Sequence, residues 1–516
     1  MSTRPIRFVH RGRIVEVEGA PITRSVLQWL REDVRCTGTK EGCAEGDCGA
    51  CTVIVAELAE HGAASGSAAA KATVVGGLSL RAVNACIRFL PTLDGKALFT
   101  VEDLAAIGGG EALHPVQQAM VECHGSQCGF CTPGFVMSMA ASYERHQEAG
   151  TRPTRQQLAD DLSGNLCRCT GYRPIIDAGQ RMFELPSARL DTAPVVALLR
   201  QLRADPPLAY AAPNPAVVVD GRARSDRFHA PRSADALAAQ LQATPQARLL
   251  AGCTDIGLWV NKQFRDLGDI VYLGEVDELK RIAVVDGALH IGAAAALEDA
   301  WSALVPHWPS AQEAWLRFAG PPTRHAGTMG GNVANGSPIG DSAPLLIALG
   351  ASIALRRGER RRTMPLQDFY LDYMKNRLEP GEFVADIVVP LPAPGQQLRA
   401  YKLSKRYDCD ISSLFAALWL QLDGDTVADA RFAFGGMAAI VKRATGAEAA
   451  VRGRPWNEAT LDAAMQALDA DYTPLTDLRA SADYRRQAAR GLLKRLWLET
   501  RAAAPLASAT VWALPA

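Results

Sequence analysis

An excess of charge of either sign is missing from this sequence, whose 516 residues hold 55 basic and 55 acidic side chains. A net charge of zero gives no electrostatic reason to expect nucleic acid as a partner. Long apolar runs are missing too, and none reaches the length needed to cross a bilayer, so no membrane partner is expected. The opening residues 1–13 carry charge with no apolar core behind them. The expectation is therefore a chain without a signal peptide and with a cytoplasmic location. Aromatic residues are only 6% of the chain, but hydrophobic residues are 48%, enough for packed cores and against a disordered chain. At roughly 150 residues per domain the length fits three or four domains.

Cysteine is what the sequence does have. There are 12, and ten of them fall between Cys36 and Cys169; only Cys253 and Cys409 lie beyond. In a cytoplasmic chain such thiols point to metal or redox chemistry rather than to structural disulfides.

Around the cysteines the pattern predicts a mixed chain. Two β-rich stretches in residues 4–17 read as a hairpin about His10–Gly12. Thr23 is expected to cap a helix carrying Val26, Leu27 and Leu30 on one face. A strand is expected at Thr52–Leu58, followed by a low-complexity surface loop over 59–73. From about residue 94 helices are expected, with Pro115, Pro133 and Pro174 at first helical positions and a capping box at Thr154 and Gln157. Residues 186–226, rich in Pro, Ala and Arg, read as an interdomain linker. Beyond it strands and helices alternate: strands at Arg248–Gly252 and Asp269–Leu273, a helix at Asp255–Phe264, a hairpin of Leu414–Leu422 with Val427–Phe434, and helices at Asn457–Leu468 and Ser481–Thr500.

Cys43, Cys48 and Cys51 follow a C-x4-C-x2-C pattern, with Cys86 further on. This is the plant-type [2Fe–2S] spacing. Gly42, Gly46 and Gly49 supply the positive φ angles and close backbone approach that wrapping a cluster demands, and amide dipoles aimed at its sulfurs help to set the potential. A zinc knot favours paired C-x2-C knuckles and fits this loop poorly. Cys36 breaks the pattern and reads as a buried bystander.

Cys128 and Cys131, with Cys167 and Cys169, form a second quartet. The first pair leads into the helix at Pro133 and the second precedes the helix at Pro174, so two helix N-termini would face a negatively charged cluster. Zinc competes for this spacing, although C-x-C does not suit a zinc knuckle. Cys123 reads as a packing residue.

Two loops rich in small residues stand out later: Leu249, Leu250, Ala251, Gly252, Cys253, Thr254, Asp255 and Ile256, and the stretch Gly330–Asp341. Backbone N–H groups in such loops can form a nest for a pyrophosphate. Neither is a G-x-G-x-x-G turn, and ordinary surface turns are an equal reading of the same residues.

The stretches at 38–53, 84–86, 124–139 and 164–175, with the two loops, resemble the molybdenum hydroxylases, the family of xanthine dehydrogenase, aldehyde oxidase and carbon monoxide dehydrogenase. The resemblance covers nearly the whole chain apart from 59–73 and 186–226. It implies an α+β multidomain protein: a β-grasp plant-type ferredoxin domain at 1–93, a helical [2Fe–2S] domain at 94–185, an α+β FAD-binding domain of vanillyl-alcohol-oxidase type at 227–396, and a flavoprotein C-terminal α+β domain at 397–516. It implies FAD contacts at Leu249–Ile256, Phe318, Thr328, Met329, Gly330, Gly331, Asn332, Asp341, Ala385 and Lys402. At Ala385 relatives carry a larger aliphatic residue, so only a backbone contact carries over. Gln127 matches a residue beside the path to the molybdenum cofactor. Tyr407 and Cys409 depart from the family's pattern in the loop Lys405–Ile411, beside the flavin.

The resemblance further implies two [2Fe–2S] clusters and one FAD that pass electrons from a molybdopterin-binding large subunit to NAD+, with molecular oxygen as the other acceptor. No third cofactor domain follows the flavin part, so the molybdenum cofactor is expected on a separate chain, with a dimer of heterodimers as the assembly. Carrying both clusters and the flavin in one chain resembles the xanthine-oxidising bacterial branch, and implies hypoxanthine and xanthine as the partner's substrates. Aldehydes or another N-heterocycle are the alternative. No residue here is expected to act as a catalytic acid or base.

Overall fold

The computed structural model describes residues 3–62, 73–107 and 113–507. The chain divides into two compact units, one of Met1–Arg281, Ala294–Asp299 and Ala319–Thr328, the other of Ile282–Ala293, Ala300–Phe318 and Met329–Ala516.

The first unit opens with the expected hairpin, β1 (Ile6–His10) and β2 (Arg13–Val17). These strands join β3 (Thr52–Leu58), β4 (Val74–Val75), β5 (Leu78–Asn84) and β6 (Ala97–Phe99) in a sheet of order β2-β1-β6-β3-β5-β4. Only β1 and β6 pair in parallel. A helical segment from Val26 to Asp33 supplies Val26, Leu27, Trp29 and Leu30 to the same buried cluster as Phe8, Val53 and Val83. Its cap is Ser25, not Thr23: the Ser25 side chain accepts from Gln28 N while the Gln28 side chain accepts from Ser25 N. The capping box rewards a Gln three residues downstream, which Ser25 has and Thr23 lacks. The expected loop at 59–73 begins instead as the short helix Ala59–Gly62, and its residues 63–72 lie outside the described residues.

The next part is helical, as expected, except for β6. That strand completes the sheet because Ala97 and Leu98 are buried between β1 and β3. Helices run over Pro115–Glu122, Thr132–Ala149, Arg155–Asp161 and Arg173–Arg181. Pro115 holds the first position, whereas Pro133 and Pro174 each stand second, and Thr154 and Gln157 form the expected box. Phe135, Val136, Met139 and Tyr143 of the long helix share a core with Ile54 and Leu80 of the sheet, so helices and sheet are one packed body.

Residues 186–226 are not a linker. They hold the helix Thr192–Arg203, the strand β7 (Leu208–Val219) and the start of β8 (Arg222–Ala230). Asp191 caps the helix, and Val195, Leu199 and Leu202 bury one face at helical spacing. Asp220 and Gly221, with φ of 50° and 73°, turn the hairpin. With β9 (Arg248–Leu250) and β10 (Ile270–Tyr272) these strands form a sheet of order β7-β8-β10-β9.

The second unit contains β11 (Ile282–Val285), β12 (Ala288–Gly292), β13 (Ser352–Arg357), β14 (Arg360–Pro365) and β17 (Phe383–Pro390), in the antiparallel order β11-β12-β17-β13-β14. A small pair, β15 (Tyr370–Asp372) and β16 (Lys375–Asn376), stands beside it in sequence. A meander follows of β18 (Gln396–Leu403), β19 (Leu414–Asp423), β20 (Thr426–Gly435) and β21 (Lys442–Arg443). It is backed by the helices Glu458–Asp471 and Ala482–Thr500, capped by Asn457 and Ser481. Leu414, Ala416, Leu418 and Leu420 of β19 share a core with Leu461, Leu468, Leu493 and Leu496 of those helices. No helix among the described residues is long and apolar enough to cross a membrane.

Candidate cofactor-binding sites

The first quartet is assembled by strand pairing. β3 and β5 run antiparallel with Thr52 opposite Asn84, and Ala85 N donates to Cys51 O at 3.2 Å. That register sets Cys51, just before β3, beside Cys86, just after β5. The loop from Cys43 to Cys48 then folds over them. Cys43 Sγ accepts backbone N–H groups from Glu45 and Cys48, each at 3.4 Å, and Asn84 Nδ2 reaches Cys51 Sγ at 4.0 Å.

The thiols of this quartet are close enough to share hydrogen bonds. Hydrogen bonds from Cys48 and then Cys86 hold the Cys43 thiol far below its usual value, and a bond from Cys86 lowers Cys51. Cys48 and Cys86 are pushed up, each chiefly by its bond to Cys43. Four thiolates this close repel without a compensating cation, and metal binding supplies it as the protons leave. Gly42 sits so close that a Cβ there would lie 2.8 Å from Cys48 Sγ, and Gly46 and Gly49 have φ of 81° and 70°.

The second quartet lies at two helix starts. Cys131 is the N-cap of Thr132–Ala149, and Tyr172, three residues after Cys169, is the N-cap of Arg173–Arg181. Cys131 bonds Cys167 and Cys128 bonds Cys169. Burial, then the bond to Cys167, pushes Cys131 up to about 12. Burial also opposes ionisation of Cys167, but hydrogen bonds from Thr170, with smaller ones from Cys169 N–H and Cys131, together outweigh it and its thiol is lowered. Thr170 Oγ1 lies 3.2 Å from Cys167 Sγ, and Cys167 N donates to the Tyr172 hydroxyl at 3.1 Å. Cys128 and Cys169 are exposed, beside Gln127, Phe130 and Tyr172.

Among the described residues no group of three or more Cys, His, Asp or Glu converges as a single metal ion would require. Each quartet offers the four thiolates that a two-iron centre would take. Within the first quartet Cys43 contacts both Cys48 and Cys86, and Cys86 also contacts Cys51; within the second, Cys128 contacts Cys169 and Cys131 contacts Cys167. Cys36, 2% exposed, faces His10 Nε2 at 3.9 Å and stands outside both sets, and Cys123 packs against the helical core.

In the first unit the loop Leu249–Ile256 leaves β9, turns at Gly252 and Cys253, and enters the helix Ile256–Asn261. Cys253 has φ of 63° and is buried. A Cβ on Gly252 would lie 2.0 Å from Ala326 O, so only glycine allows this approach. Thr328 bridges Ala296, and a cavity of about 70 Å³ is lined by Ala251, Gly252, Cys253, Ala295 and Thr328.

In the second unit Met329, Gly330, Gly331 and Asn332 start the helix Met329–Asn335. Gly330 N donates to Ala293 O at 2.9 Å, and Asn332 Oδ1 is a buried acceptor without a hydrogen-bond partner. Lys402 Nζ donates to Asp341 Oδ2 at 2.6 Å and to Ser412 Oγ at 2.8 Å, while Ser412 Oγ donates to Asp341 Oδ1 at 2.7 Å. Phe318 is stacked on Trp301 with centroids 5.8 Å apart. Ala385 falls at a register shift between β13 and β17 and gives its carbonyl to Ala293 N. Arg317 lies over the Tyr407 ring at 4.4 Å and donates to Tyr407 O, tying down the loop Lys405–Ile411. Sequence reasoning missed Ser412 and also Asn165, whose buried amide reaches Gly49 of the first cysteine loop and Ser138 of the long helix. In the sequence Asn165 is marked only by standing two residues before Cys167.

Three family models match the chain. One, described as a [2Fe-2S] binding domain, covers residues 100–180. Another, a FAD binding domain in molybdopterin dehydrogenase, covers 223–392, and a CO dehydrogenase flavoprotein C-terminal domain covers 399–500. A xanthine dehydrogenase of Emericella nidulans is 31% identical over 95% of this chain and 38% of its own length. One from Oryza sativa is 31% identical over 87% of this chain and 36% of its own. The chain therefore spans little more than a third of the length of these curated relatives. Among solved structures, a carbon monoxide dehydrogenase chain from Hydrogenophaga pseudoflava is 32% identical, covers 52% of this chain and 94% of its own, and superposes with a TM-score of 0.49.

Proposed function

The chain belongs to the molybdenum hydroxylase family, with its FAD-binding and [2Fe–2S] domains, and within that family we propose that it is an electron-transfer subunit. It receives electrons from a molybdopterin-containing partner and delivers them through two [2Fe–2S] sites and FAD to NAD+. The partner oxidises hypoxanthine and xanthine to urate, as the xanthine dehydrogenase relatives suggest by name. The observation that carries this reading is the direct link between the quartets: Leu166, next to Cys167, donates its N–H to Cys48 O at 3.0 Å.

Bound at these sites, the clusters move electrons one at a time and FAD collects two for release as a hydride. The chain's own residues position that chemistry. Cys128, Cys131, Cys167 and Cys169 are the entry ligands, with Cys128 and Cys169 at the surface where a donor protein can approach. The exposed rings of Phe130 and Tyr172 beside them offer that donor apolar contact. Cys43, Cys48, Cys51 and Cys86 hold the second site. For FAD the proposed contacts in the first unit are Leu249–Ile256 and Thr328. In the second they are Phe318, Met329, Gly330, Gly331, Asn332, Asp341, Ala385 and Lys402. The domains proposed follow the sequence expectation with two changes: β6 carries the first boundary from residue 93 past residue 99, and β7 draws the start of the FAD-binding part from residue 227 back to about 208. A dimer of heterodimers and a cytoplasmic location belong to the same reading.

The test is a steady-state assay of the co-purified complex with xanthine, aldehydes and nicotinate, each with NAD+ and with oxygen. NAD+ reduction driven by xanthine supports the full proposal. Turnover of an aldehyde without xanthine activity replaces the substrate, and oxygen consumption without NAD+ reduction replaces the acceptor.

A further inference from the structure

We propose that Asn165 is a positioning residue for electron passage between the two cysteine quartets. The proposal rests on the reading of both quartets as [2Fe–2S] sites. Asn165 is 2% exposed and stands two residues before Cys167. Its Nδ2 donates to Gly49 O at 3.0 Å and to Thr52 Oγ1 at 3.2 Å, and its Oδ1 accepts from Ser138 Oγ at 2.6 Å. The Thr52 hydroxyl in turn donates to Gly49 O at 2.7 Å.

Each partner belongs to a segment that carries a ligand. Gly49 stands between Cys48 and Cys51, and Thr52 follows Cys51 directly. Ser138 lies on the helix that Cys131 caps. One amide therefore ties both ligand pairs of the second quartet to the loop of the first. Both N–H donors and the carbonyl of the Asn side chain are used, which is its full complement of hydrogens. A buried polar network satisfied in this way is rigid.

The packing around the amide leaves no slack. A Cβ on Gly49 would lie 2.3 Å from Gly164 O, and one on Gly134 would lie 2.1 Å from Gly49 O. Between Cys48 Sγ and Cys167 Sγ the route consists of covalent bonds and the single Leu166 N–H to Cys48 O contact. In the proposed step one electron leaves the reduced centre at Cys128, Cys131, Cys167 and Cys169. The oxidised centre at Cys43, Cys48, Cys51 and Cys86 takes it up. The first is oxidised by one electron, the second is reduced by one, and no proton or ligand crosses. Electron passage weakens steeply with the gap between centres, and Asn165 fixes that gap.

The experiment uses the full chain reduced with dithionite. Electron paramagnetic resonance reads the magnetic splitting between the two centres and the potential of each. A fast one-electron pulse reads the rate at which they equilibrate. Asn165→Ala is expected to keep about four irons and both potentials, to lose the splitting, and to slow equilibration. Ser138→Ala and Thr52→Val, which each remove one partner, are expected to fall between it and the parent. An Asn165→Ala chain with both centres present and with splitting and rate unchanged overturns the proposal. If Asn165→Ala does not assemble, the same readouts in Ser138→Ala decide: unchanged values overturn it and reduced values support it. A parent chain lacking paired paramagnetic centres would instead remove the two-cluster reading beneath it.

Discussion

Lys402 Nζ and Asp341 Oδ2 lie 2.6 Å apart with side chains 1% and 2% exposed, so a full ion pair is buried in the second unit. Removing one partner leaves the other charge without compensation. Lys402→Met is expected to cost about 3–5 kcal/mol, read as a lower urea midpoint. Combining it with Asp341→Leu is expected to recover most of that loss. A single variant as stable as the parent would show that the pair carries no such weight.

Cys167→Ala separates the two quartets. It removes a ligand from the second set and leaves Cys43, Cys48, Cys51 and Cys86 intact. The iron content is expected to fall from about four to about two per chain, with loss of one paramagnetic signal and retention of the other. Retention of both signals would refute the grouping of ligands.

His114 makes the helical part acid-sensitive. Burial pushes its pKa down to about 4, and its ring caps the helix Pro115–Glu122, where positive charge is unfavourable. The unfolded chain takes up this proton near pH 6.5 and the folded chain only near 4, so the unfolded state binds more protons in that window. Stability is therefore expected to be level above pH 6.5 and to fall as pH drops toward 4. His114→Asn keeps a capping side chain without the titration. Its loss of stability over the same window should be smaller, as followed by urea midpoints at stepped pH; an equal loss would acquit His114.

Ser25→Ala and Thr23→Ala distinguish the observed cap from the expected one. Only Ser25 makes the reciprocal bonds with Gln28. Its loss is expected to cost about 1 kcal/mol, while Thr23→Ala should stay close to the parent in a thermal melt. Equal effects would mean that the box contributes nothing.

What was legible in the sequence was whatever is local. Cys43, Cys48 and Cys51 share one loop, and the strand Thr52–Leu58 is a short run rich in β-branched residues that is buried along nearly its whole length. The caps Thr154, Asn457 and Ser481 carry their signal within three residues. The linker reading failed because Ala and Arg diluted the apolar face of Thr192–Arg203. Pro213 and Pro215 also masked β7, an edge strand that keeps Pro213 in register opposite Ser225 and takes Pro215 into a register shift between Asn214 and Val218. The Asp341–Lys402–Ser412 triangle and the Asn165 staple join residues far apart in the chain, and no spacing announces such contacts.

The antiparallel register of Thr52 with Asn84 sets Cys51 beside Cys86 at the end of the β3–β5 ladder. Sliding that pairing by one residue would turn one of the two thiols toward the opposite face of the sheet. A misregistered chain would then present three sulfurs where iron needs four. With the proposed ligand set, colour in a fresh preparation would then report how many molecules have paired those strands correctly.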